Sequence, residues 1–242
     1  MDSPIGSASD DWGGHGQKYD QKYELSKRPD VLMQIFSVPN LRRFGKPLVF
    51  AACLIPFAWL AFNWWQAFAG APHDLGFNPN ETSNRFSGDW ALRFLLISLA
   101  VTPLSRVLKS PKPILFRRML GLFAYFYVCT HILSYLWLDL LWDWAGLWAD
   151  IIKRVYITVG MAAFLMLTPM AITSTKGMIK RLGAKRWQRL HKLVYVIAPL
   201  AVIHFFMMRK GFQLEPLIYG AIYLGLMALR WKRRGGKRVK AA

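Results

Sequence analysis

The sequence predicts an all-α membrane protein, a helical bundle of six transmembrane helices with both termini on the cytoplasmic side. Three observations carry this. Of 242 residues, 54% are hydrophobic and 11 are Trp. The apolar residues gather in long runs, each near the roughly 20 residues an α-helix needs to cross the hydrocarbon. The formal net charge of +19 is concentrated in the short loops between those runs. A soluble domain of this length has no need of so many long apolar runs.

The expected spans are 47–65, 88–105, 118–138, 155–174, 189–208 and 213–231. Arg93 interrupts the second, and Glu215 stands near the start of the sixth. Residues 1–46 form a polar tail, and 232–242 a short basic tail. The first 30 residues are Gly-, Ser- and Asp-rich with no apolar core of a signal peptide, so we expect a disordered tail and no cleaved leader. The stretch 31–38 reads as a short interfacial segment. Trp137, Trp142, Trp144 and Trp148 follow the third span. They read as an aromatic belt at the outer interface, on a short helix lying in its plane.

Charge fixes the orientation. Lys and Arg cluster at 18–46, 106–118, 176–192 and 230–240. The alternate loops hold Asp74, Glu81, Asp89, Asp139, Asp143, Asp150 and Glu215. This is the positive-inside pattern, repeated at every crossing. The basic clusters follow topology and form no continuous surface, which argues against nucleic acid as a partner and leaves anionic lipid or an acidic protein at the cytoplasmic face.

Cys53 and Cys129 fall within different spans and read as small buried residues, with no disulfide framework. The chemistry rests on histidine. His15 in the tail and His73 in an outer loop read as surface residues. His131, His191 and His204 lie in or at spans, where an ionisable side chain is costly and marks function. At about 1.5 Å of rise per residue, His131 lies about 20 Å along the third span and His204 about 22 Å along the fifth. The two can therefore face each other in the outer half of the membrane. Two imidazoles at one depth in an aromatic surround suit a bis-His haem b, which passes electrons and leaves no iron position open to substrate. Zinc would want further converging ligands.

His191 sits near the cytoplasmic face, where it can ligate a second haem or line the electron entry. On an ideal helix it is about 140° out of phase with His204, and Pro199 between them is a candidate kink. The matching inner position of the third span falls at Arg117 and Arg118. Arg93, Arg117 and Arg118 are candidate partners for a haem propionate or phosphate, with a snorkelling or topological role as the alternative for each.

The segments SGDWALRFLLISLAVTPLSR (87–106), RRMLGLFAYFYVCTHILSYLWLD (117–139), KRVYITVGMAAFLMLTPMAITS (153–174) and RWQRLHKLVYVIAPLAVIHFF (186–206) closely resemble the MsrQ family, also called YedZ. The family belongs to the ferric reductase-like transmembrane group. The resemblance implies the haem-binding subunit of a bacterial inner-membrane system. Such a subunit takes electrons on the cytoplasmic side and passes them to MsrP, a periplasmic molybdopterin enzyme that reduces methionine sulfoxide in oxidised proteins. It also implies FMN, for which no site is legible here. In oxidase relatives the third and fifth spans each carry two His; here the third carries only His131, which supports His131 and His204 as the outer pair.

Only a short basic stretch follows the last expected span, without a GxGxxG phosphate loop. The expected donor is therefore a quinol or a separate flavin reductase. Two other readings stand beside this one: a ferric reductase or quinol-linked cytochrome serving another acceptor, and a haem-free transporter whose histidines relay protons.

Overall fold

A computed structural model describes residues 37–208 and 213–238, the stretch 231–238 by backbone alone. His15, the polar tail and most of the expected interfacial segment lie outside the described residues. The chain divides into two units, Met1–Lys46 and Pro47–Ala242. In the first, the described residues form a short helix Val38–Asn40 with Pro39 in its opening turn, then a π turn Leu41–Gly45.

The second unit is all-helical as far as it is described. Its elements are α1 (Lys46–Phe68), α2 (Pro79–Val107), α3 (Ile114–Ser134), α4 (Trp144–Lys153), α5 (Val155–Ile172), α6 (Lys176–Leu182), α7 (Ala184–Leu190), α8 (Val194–Met208) and α9 (Leu214–Arg238). Among the described residues five stretches are long and apolar enough to cross a membrane: Val38–Phe68, Pro79–Val107, Ile114–Asp139, Val155–Ile172 and Ala184–Met208. The sixth expected segment is helical too, as α9, but Arg230 and the basic run after it occupy its C-terminal part.

The second span begins earlier than its apolar run. Asn78 caps α2 by accepting from the Glu81 N–H at 3.3 Å, Pro79 takes the opening turn, and Arg85 pairs with Glu81 at 2.5 Å. These residues start a helix with polar chemistry, so hydropathy alone places its start at 88 and misses the turns carrying Asn84. The third span ends in a π turn, Tyr135–Asp139. Leu141 and Trp142 then adopt positive φ, and the Asp143 carboxylate accepts from the N–H groups of Ala145 and Gly146 at 3.0 Å each, starting α4. Trp144 and Trp148 on this short helix are exposed, as are Trp137 and Trp142 before it.

The fifth span departs from one regular helix at a place other than Pro199. It breaks at a 3-10 turn, His191–Leu193, between α7 and α8. Pro199, the expected kink, lies inside α8 without ending it. The phase offset reckoned between His191 and His204 therefore does not apply, because they do not share one regular helix.

Packing places two helix pairs side by side. α2 and α3 pack along their length, as do α5 and α8, while α9 lies on α8 and α2. α2 is the most enclosed span, with Leu92, Phe94, Leu95 and Leu99 buried. Opposite them α3 buries Leu120, Phe123, Ala124 and Tyr127, and α8 buries Ile197 and Ala198. Cys53 is buried, Cys129 is half-buried, and both are free thiols.

Candidate functional site

Each helix pair carries one histidine toward the other pair. His131 stands near the end of α3 and His204 near the end of α8. Their ring centroids are 6.2 Å apart, with the planes at 78°. Two imidazoles sharing one metal, with N–metal distances of about 2.0 Å and ring radii of about 1.1 Å, would have centroids about 6.2 Å apart. The observed spacing fits a shared metal.

The hydrogen bonds settle which nitrogen is available. His131 Nδ1 lies 2.9 Å from the Asn84 carbonyl oxygen on α2. His204 Nδ1 lies 2.6 Å from the Tyr156 carbonyl oxygen on α5. A carbonyl only accepts, so each Nδ1 carries the proton and each Nε2 keeps its lone pair. Both rings are thus held as the tautomer that ligates through Nε2.

Glycine makes these contacts possible. A Cβ on Gly88 would lie 3.1 Å from His131 Nδ1, and a Cβ on Gly160 would lie 2.8 Å from His204 Nδ1 and Cε1. Neither glycine, nor Asn84 nor Tyr156, stands out in the sequence, because what they supply is a backbone carbonyl and an absent side chain.

The donor set limits the chemistry. Among the described residues no three His, Cys, Asp or Glu gather as a metal cluster. Two nitrogens leave a tetrahedral ion short of ligands and suit an iron that brings its own equatorial ring.

Above the pair, Asp150 is held by Arg154, at 3.1 Å from its Nε, and by the Tyr135 hydroxyl. Arg154 also donates to the Tyr156 hydroxyl at 3.3 Å. This outer layer is tied to the His204 side, since the Tyr156 and His204 rings lie 6.4 Å apart. The α2 side is fastened by Asn84 Nδ2 to Asp139 at 3.2 Å and by Asn80 Nδ2 to the Leu138 carbonyl at 2.9 Å.

His191 sits apart from this pair. Its ring stacks on Trp187 with centroids 3.9 Å apart, its Nδ1 donates to the Trp187 carbonyl at 3.1 Å, and Ser174 Oγ lies 3.5 Å from its Nε2. Arg117 lies within electrostatic reach of His191 and is half-buried beside Arg230 and Tyr195. Arg118 is exposed. Arg93 donates from Nε to the Tyr219 hydroxyl at 2.9 Å and lies over the Trp90 ring at 5.0 Å. His73 caps a loop turn, its Nδ1 accepting from Leu75 N–H at 3.3 Å.

The described helices form a membrane bundle with two imidazoles facing each other between helix pairs. Residues 87–202 match the family described as ferric reductase like transmembrane component. Three similar proteins are each called "Protein-methionine-sulfoxide reductase heme-binding subunit MsrQ". The one from Caulobacter vibrioides is 48% identical over 77% of this chain and 87% of its own length. That from Rhodospirillum rubrum is 50% identical over 81% and 93%, and that from Polaromonas naphthalenivorans 52% over 77% and 83%. The chain belongs to the MsrQ family, and is a multi-pass membrane protein.

Proposed function

We propose that this chain holds a haem b between His131 and His204 and carries electrons across the bacterial inner membrane to a periplasmic MsrP-type molybdopterin subunit that reduces methionine sulfoxide in proteins. The observation that carries the reading is the pair itself: two imidazoles at 6.2 Å, each fixed by a carbonyl so that Nε2 is free. The relatives' printed name adds the haem and the methionine-sulfoxide reductase system. Held by His131 and His204, a haem would supply a one-electron couple.

The chain's own residues orient and insulate. α2 and α5 hold the rings through Asn84 and Tyr156. The buried aromatic rings of Phe94, Phe123 and Tyr127 keep water from the α2–α3 interface. Six spans with both termini cytoplasmic put the His131–His204 pair in the outer half of the membrane, near the partner, and put residues 1–46 and 232–242 on the cytoplasmic side.

Electrons enter at the cytoplasmic side from a quinol or a flavin reductase. His191 beside Arg117 marks that side and is the place for a second haem or an entry site. Arg93 and Arg118 remain candidate partners for propionate or phosphate. Arg186 and Arg189 line a groove with Leu190 and Leu193, a pairing of cationic and apolar groups that suits an anionic lipid. FMN stays an expectation of the family resemblance alone, with no residues assigned to it.

The test is electron delivery. The purified chain in liposomes is reduced by a quinol or by a flavin reductase with its nucleotide, and a molybdopterin subunit with oxidised protein substrate is then added outside. The reading predicts reoxidation of a b-type signal that depends on both the subunit and methionine sulfoxide. A signal reoxidised equally by ferric citrate alone, and not by the subunit, would favour the ferric reductase alternative.

A further inference from the structure

We propose that Gly88 and Gly160 are positioning residues, a matched pair of seats that fix the two imidazoles from helices carrying no ligand. The inference rests on the haem-site reading above. In both halves the geometry is the same. The histidine reaches across to a neighbouring helix and bonds a carbonyl at Asn84 or Tyr156, and the glycine stands four residues after that carbonyl. In an α-helix the carbonyl of residue i points along the axis toward residue i+4, and the side chain of i+4 lies back over that turn. Any Cβ there crowds a lateral approach to the carbonyl oxygen. A glycine opens it, and the imidazole fills the gap.

The two seats differ in tightness. At Gly160 a Cβ would meet two ring atoms at 2.8 Å, below any ordinary contact. At Gly88 the corresponding distances are 3.1 and 3.3 Å. His204 on its seat is therefore the more constrained ring, and its Nδ1 bond is the shorter. Glycine weakens a helix relative to alanine, so Gly160→Ala would stabilise the isolated helix and harm only what the ring requires.

The experiment uses the full chain, with Gly88→Ala, Gly160→Ala and Gly225→Ala, the last at a position with nothing within 4 Å of an added Cβ. Haem affinity and the ferric electron paramagnetic resonance spectrum are measured for each, with His204→Ala as reference. Gly160→Ala should lose roughly 10- to 100-fold in haem affinity, the range for residues that orient a metal ligand. Gly88→Ala should lose less and show a shifted spectrum, and Gly225→Ala should match wild type. Wild-type affinity and spectrum in Gly160→Ala, with haem lost in His204→Ala, would overturn the seats and leave the site intact. Retention of the full wild-type haem complement in His204→Ala would overturn the ligand assignment and the seats together. If Gly160→Ala fails to accumulate, the change is repeated in the His204→Ala background. Accumulation restored to the His204→Ala level assigns the defect to the ring, and an equal defect in both backgrounds overturns the proposal.

Discussion

The hydroxyl of Tyr127 bridges two backbone groups of the helix that carries Phe57. It accepts from the Phe57 N–H at 3.0 Å and donates to the Cys53 carbonyl at 2.8 Å. Cys53 and Phe57 are the pair that an unbroken α1 would join directly. Pro56, just before Phe57 inside α1, lacks an N–H and loosens the ladder around it. At membrane depth a loosened group has no water to turn to, and Tyr127, which is 1% exposed, offers a partner to both from α3.

Tyr127→Phe therefore leaves a buried N–H and a buried carbonyl unpaired. We expect a stability loss of about 1–3 kcal/mol, read as a lower midpoint of thermal unfolding in detergent. Haem binding should persist, since His131 lies a turn further along α3. An unchanged midpoint would mean that α1 straightens and re-forms the Cys53–Phe57 bond by itself.

The ring planes of His131 and His204 stand at 78°. Near-perpendicular axial imidazoles keep the iron orbitals nearly degenerate, so the ferric protein should give a strongly anisotropic low-spin resonance signal. A rhombic signal typical of parallel rings would show that the two rings turn when haem is bound.

His191→Ala should leave the His131–His204 signal in place and slow reduction by the cytoplasmic donor. Its ring contacts are with Trp187 and Ser174. Stopped-flow reduction of the variant checks this. Complete loss of all haem would make His191 a support of the whole fold instead of an inner station.

Orientation is checked with single cysteines in a Cys53→Ala, Cys129→Ala background. Trp148→Cys should be labelled by a membrane-impermeant reagent in intact spheroplasts. Lys180→Cys should be labelled only after permeabilisation. The reverse pattern would contradict the charge argument.

The histidines were legible in the sequence because an ionisable ring in an apolar run is conspicuous, and equal depth brought His131 and His204 together. Their seats were not. Asn84 lies in polar turns that hydropathy excludes from the second span, Tyr156 acts through its carbonyl, and Gly88 and Gly160 act by lacking an atom. The 3-10 turn at His191–Leu193 was also hidden, since neither Gly nor Pro marks it. Pro199, the candidate kink, lies inside α8. Tyr127 read as one more aromatic residue of α3, because its partners Cys53 and Phe57 on α1 are distant in sequence.

The most direct test is the reduced-minus-oxidised visible spectrum of the purified chain, with haem quantified per chain, for wild type, His131→Ala and His204→Ala. The account predicts a b-type spectrum in wild type whose outer-site component is lost in either variant. A folded wild-type chain without haem, from cells able to supply it, or an undiminished spectrum in both variants would contradict it.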